Sequence, residues 1–122
     1  MKQYNLISTK NIVHTGIVGL DKEIVGLYIG ERTILFGKDR EGVRRFMGKL
    51  SLGCVVRTDN NVTCRTSRTI YVYDCEQKKE LPPSVVDAVE NVFFLFEKNG
   101  RHYVRVCKNR MNGVFDFECE IN

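Results

Sequence analysis

A catalytic centre needs a nucleophile, a general base or a set of metal ligands, and this chain of 122 residues offers few of each. Its histidines are His14 and His102. His14 has no recognisable partner in the surrounding sequence. His102 follows an Asn99-Gly100 pair and shares one side of a hairpin with Leu95, Glu97 and Val104, so it reads as a polar residue at a sheet edge. An enzymatic reading requires a cleft that gathers one of these histidines with a cysteine or with carboxylates. No spacing in the chain announces such a cleft, and a non-enzymatic protein with no catalytic residues and no cofactor is expected.

The cysteines, Cys54, Cys64, Cys75, Cys107 and Cys119, are odd in number and contain no C-x-x-C pair, which argues against a zinc finger or a thioredoxin-like centre. Cys54 and Cys64 flank a turn at Asp59-Asn60-Asn61 and could meet across it, but a reducing compartment keeps them as thiols. Cys107, between Arg105 and Lys108, reads as an inert packed thiol. Asp116, Glu118 and Glu120 put three carboxylates on one side of a strand. A strand edge defended by charge explains them more simply than a cation site, and no metal is expected.

Binding chemistry is better represented. Val92 to Lys98 and Arg101 to Cys107 meet across Asn99-Gly100, the sequence of a two-residue hairpin turn, so Lys98 pairs with Arg101. One face then carries Phe93, Leu95, Val104 and Val106 and is core; the other carries Phe94, Phe96, Tyr103, Arg105 and Cys107. The second face is too apolar to stay wet and holds an arginine among rings, as stacking platforms for nucleotides do. Phe94, Phe96 and Tyr103 are the candidates for stacking, with Arg105 between them and Arg101, Lys108 and Arg110 for phosphate. A strand buried on both faces, or a dimer seam, uses the same pattern.

The net charge of +4 is unevenly spread. Lys38, Arg40, Arg44, Arg45, Lys49, Arg57, Arg65 and Arg68 face only Asp39, Glu41 and Asp59 in their segment, while Lys98, Arg101, Arg105, Lys108 and Arg110 have no acid among them. Arginine predominates, which suits forked contacts to phosphate or carboxylate; the plain alternative is a solvated surface paired with the acids of the same fold. No ribonucleoprotein, cold-shock or helix-turn-helix motif accompanies the charge.

The elements that must position these residues read as one α+β domain over residues 1–122, with about eight strands in antiparallel meanders. Ile12 to Leu20, Glu23 to Ile29 and Arg32 to Phe36 are rich in β-branched residues. An amphipathic helix follows at about 40–50, N-capped by Asp39, with Val43, Phe46, Met47 and Leu50 on its core stripe and Arg44, Arg45 and Lys49 facing away as further ligand candidates. Cys54 to Thr58 and Val62 to Thr66 read as a hairpin, and Thr69 to Asp74 as a strand. A capping box at Ser84 to Asp87 predicts a short helix at about 84–90, and a last strand runs from Val114 to Ile121 with Phe115, Phe117, Cys119 and Ile121 inward.

No apolar stretch is long enough to span a bilayer and no secretory leader is visible, so a cytoplasmic protein is expected. The function that follows is a binding protein, expected as a homo-oligomer, that holds an anionic partner such as a nucleotide, a cyclic oligonucleotide or a nucleic acid. The alternative is an inhibitor or assembly subunit that docks on protein through the aromatic hairpin face.

Overall fold

The computed structural model describes residues 12–50, 54–57, 59–62 and 68–121. They form a mixed α+β domain with eight strands in two sheets and three helices. The small sheet pairs β1 (Ile12–Val13) with β2 (Leu27–Tyr28) antiparallel. The large sheet holds the rest: β3 (Arg32–Phe36), β4 (Cys54–Arg57), β5 (Arg68–Tyr73), β6 (Asn91–Lys98), β7 (Arg101–Asn109) and β8 (Phe117–Glu120), in the order β4-β5-β3-β6-β7-β8. The helices are α1 (Val18–Ile24), α2 (Arg40–Lys49) and α3 (Pro83–Ala88), with a single 3-10 turn at Lys78–Glu80.

The sheet is not an antiparallel meander. β3 lies between β5 and β6 and is parallel to both, and β4 is parallel to β5; only β6, β7 and β8 run antiparallel in turn. Every residue of β3 is buried, as expected of a strand with parallel neighbours and a covered face on each side. α1 and α2 cover one face, where Ile17, Leu20, Ile24 and Phe46 meet Leu35, Ile70, Phe93, Leu95, Val104 and Val106. On the other face α3 brings Leu81, Val85 and Val89 onto Ile34, Phe36, Tyr71 and Val92.

Four expectations are corrected. The stretch expected as a first pair of strands contains α1 instead. Ile17, Leu20 and Ile24 recur at helical spacing and all are buried, and the Asp21 carboxylate accepts hydrogen bonds from Thr15 N–H and Oγ1 and from Gly16 N–H ahead of the helix. Burial of that stripe overrides the β-preference of its residue types. Cys54–Arg57 pairs parallel with β5, a partner not expected for it; Thr63 to Thr66, the far strand of the expected hairpin, and Cys64 with them, lie outside the described residues. The short helix begins with Pro83 at its first turn and has no side-chain cap, so Ser84 is inside it. The last strand starts at Phe117, because Asp116 adopts a positive φ of 58° and leaves Phe115 69% exposed.

Other expectations hold. Asp39 caps α2, its Oδ1 accepting from Gly42 N–H at 3.0 Å. The Asn99-Gly100 hairpin has the register read from sequence, Lys98 opposite Arg101 and Leu95 opposite Val104, with a bulge near Val92 and Phe93.

At the amino ends of β3 and β6 a buried polar network closes the sheet. The Arg32 guanidinium donates to both oxygens of Glu90, at 3.2 and 2.7 Å, and to the carbonyls of Ala88 and Val62. Asn91 donates to Glu31 and Thr33, and Asn109 donates to Asn91. Removing one partner of a buried ion pair strands the other charge, so Glu90→Ala should lower unfolding free energy in urea by about 3–5 kcal/mol. Burial lifts the Glu31 carboxyl above the ordinary glutamate range, against the opposing hydrogen bonds from Tyr28 N–H and the Asn91 amide. Folding therefore favours its protonated form, and that contribution is lost as pH rises through the folded value. Glu31→Gln should be more stable than the natural protein at neutral pH, with the gain disappearing below the ordinary glutamate pKa in a pH series of denaturation curves.

Candidate functional site

The carboxyl ends of the parallel strands β3 and β5 and the exit of β6 open on a crevice of about 480 Å³, where ligands sit in open parallel sheets. Its walls are Lys38 and Asp39 after β3, Glu76 and Gln77 after β5, and Phe94, Phe96 and Glu97 of β6. The chain leaves β3 at Gly37, with φ at +142°, against the backbone of β6: a Cβ there would lie 2.1 Å from the Leu95 carbonyl oxygen. Only glycine allows that approach, and it fixes where Lys38 and Asp39 start.

Asp39 divides its carboxylate between two tasks. Oδ1 caps α2, and Oδ2 meets His102 Nδ1 at 2.7 Å. A side chain at position 42 would collide with this carboxylate, since a Cβ on Gly42 would stand 2.3 Å from Oδ2. Both partners are sheltered, with 5% of the Asp39 side chain exposed and 10% of the His102 side chain. Glu97 lies directly across from His102 in the hairpin, and one ligand atom from each of Asp39, Glu97 and His102 falls within 4.8 Å of the others. Among the described residues His102 makes no other side-chain hydrogen bond. This is the gathering of a histidine with carboxylates at a cleft that an enzymatic reading requires. His102 is a buried, paired group rather than a sheet-edge residue, and Asp39, 63 residues earlier in the chain, is the partner that sequence spacing does not reveal.

On the opposite face of the same hairpin the rings form a row. Phe36 and Phe94 have centroids 4.9 Å apart, Phe94 and Phe96 5.4 Å, and Phe96 and Tyr103 5.5 Å, the last two pairs nearly parallel at 16° and 18°. The Arg105 guanidinium lies 5.4 Å from the Phe96 centroid and 5.9 Å from that of Phe94, and Lys98 Nζ is 5.4 Å from the Tyr103 centroid. Phe94, Phe96, Tyr103 and Arg105 are partly buried, and Phe94 packs against the cluster under α3.

The candidate cations divide into three groups. Arg105 pairs with Glu118 and Arg101 with Glu120, so the acidic side of β8 neutralises the hairpin it borders. Lys108 donates to the Val86 and Asp87 carbonyls and Arg110 to the Asp87 carbonyl, which ties both to the last turn of α3. Burial pushes the Lys108 ammonium below its ordinary pKa. Arg44 and Arg45 pair with Glu41 on the outer side of α2, which with Lys49 lies across the sheet from the aromatic row. Arg44, Arg45 and Lys49 therefore do not join the cations of the hairpin.

The described thiols are quiet. Cys54, Cys75, Cys107 and Cys119 are free and partly buried; burial raises the pKa of each, that of Cys119 to about 11. His14 is exposed and bonded through Nδ1 to the Val25 carbonyl. Among the described residues no helix is long and apolar enough to cross a membrane.

Comparison with known proteins gives no family: no family model matches the chain, and no curated protein matches it. The Asp39 capping geometry can be tested directly. Asp39→Ala should cost about 2 kcal/mol in urea denaturation, whereas Asp39→Asn, which keeps an oxygen for Gly42 N–H, should cost less than half of that.

Proposed function

We propose that this domain is a non-enzymatic binding protein for a planar, negatively charged ligand of the nucleotide class, taken at the aromatic row and the crevice it borders. The observation that carries the reading is that Phe94 and Phe96 belong to both: they continue the row from Phe36 to Tyr103 and they wall the crevice. A base adds to such a row as one more ring, at about 1–3 kcal/mol per stacked base.

The anionic end of the ligand belongs toward the hairpin. Among the residues lining the crevice Asp39, Glu76 and Glu97 outnumber Lys38, and Lys38 is itself engaged with Asp74. Along the row the balance is reversed: Lys98 and Arg105 stand beside the rings, and Arg101 lies opposite Lys98 in the hairpin. The pairs Arg105–Glu118 and Arg101–Glu120 have partly exposed side chains, and such pairs are worth about 0–1 kcal/mol, so a phosphate displaces the carboxylates at small cost. Arg44, Arg45 and Lys49 lie across the sheet and take no part in this seat; Lys108 and Arg110 hold α3 at its edge.

Equilibrium binding of mononucleotides, cyclic oligonucleotides and short single-stranded RNA and DNA, at low and moderate salt, tests the proposal. Affinity should fall as salt rises; Phe96→Ala should lose about tenfold and Arg105→Gln should flatten the salt dependence. A protein that ignores the whole panel, or whose binding is untouched by Phe96→Ala, overturns it. Light scattering on the same samples reads the assembly alternative, in which Phe96→Arg dissociates an oligomer and leaves the fold intact.

A further inference from the structure

Asp39, Glu97 and His102 stand at the other side of the sheet end from the aromatic row, and their arrangement has a chemistry of its own. We propose that these residues form a site for a single first-row divalent cation of the zinc, cobalt or manganese kind. The site does not depend on the ligand proposed for the aromatic row.

Three ligand atoms that share one ion, each bound at about 2.0–2.2 Å, lie no more than about 4.4 Å apart. Those of Asp39, Glu97 and His102 already fall within 4.8 Å of one another, so only a small closure is needed. Glu97 is the exposed member of the three and supplies that movement, while Asp39 and His102 are sheltered and held. The backbone behind the ligands is rigid. Glu97 and His102 are a directly opposed pair of the hairpin, and Asp39 is fixed by the helix it caps and by the close approach of Gly37 to Leu95.

The donors also fit. Asp39 Oδ1 stays on the helix cap, while Oδ2 and His102 Nδ1 already face each other at 2.7 Å, so a cation bound between them takes the place of the proton they share. One imidazole with two carboxylates suits borderline cations. It is too poor in oxygen for calcium and lacks the thiolates that copper(I) prefers. With three protein donors the ion keeps an open position, and two of the three, Asp39 and Glu97, line the crevice.

The test uses the purified full chain stripped with chelator, then titrated with Co²⁺ followed by absorption and with Zn²⁺ followed by calorimetry, in the absence of any nucleotide. Saturable uptake of one ion per chain is expected, with a rise in melting temperature on loading. Glu97→Gln, an exposed substitution that leaves the core untouched, should weaken uptake at least tenfold, and His102→Gln should abolish it. His14→Ala and thiol blocking should leave it unchanged. No saturable uptake overturns the proposal, as does uptake that survives both Glu97→Gln and His102→Gln or that disappears with His14→Ala or blocked thiols. Because metal is the sole probe, its failure leaves nucleotide binding at the aromatic row standing, and failure of nucleotide binding leaves the metal site standing.

Discussion

A strand with parallel neighbours on both sides cannot be reached by tight turns, and β3 is such a strand. The chain that leaves it must cross a face of the sheet before it can pair again in the same direction. It does so through α2 on one face, and it returns from β5 to β6 through α3 on the other. The central position of β3 thus accounts for the covered faces, for its complete burial, and for the place where the loops after β3 and β5 gather at one end. That end holds the crevice. The opposite end, where the strands begin, is sealed by Arg32, Glu90, Asn91 and Asn109.

Electrostatics in this molecule are mostly internal. Arg101, Arg105, Arg44 and Arg45 each find a carboxylate, and Lys108 and Arg110 find helix carbonyls. A tally of basic residues therefore overstates the field a ligand meets, and what distinguishes the hairpin face is the conjunction of cations with rings. The acids of β8 are the counterpart: they guard an outer strand and neutralise its neighbour at once.

What the sequence makes legible is local. Asn99-Gly100 specifies a turn through its own backbone preferences, and the register of fifteen or so residues follows from that pair alone. Asp39 with an apolar stripe behind it specifies α2 in the same way. Alternation along β3 and β5 separates their faces, but it carries no information about which strand lies alongside or in which direction, so parallel pairing was not visible. α1 is short, and its β-branched residues suit a strand until Leu20 and Ile24 are seen to need the same core. The Asp39–His102 contact spans 63 residues, and nothing in the neighbourhood of either residue encodes it. The bulge between Val92 and Phe93 carries no local signal either, and it shifts the far end of the ladder by one residue, setting Val92 opposite Lys108.

The hairpin and the parallel half of the sheet also differ in how far along the chain their contacts reach. β6 and β7 can zip within about 1–10 μs, because the turn between them closes almost no loop. Seating β3 against β6 joins Phe36 to Phe94 and must wait for a long intervening segment to collapse. Asp39 arrives with the slow half, whereas Glu97 and His102 belong to the fast one. The cluster they form is therefore among the last features to appear as the chain folds and among the first to come apart in a partial opening, so its integrity reports on the docking of one half of the sheet to the other.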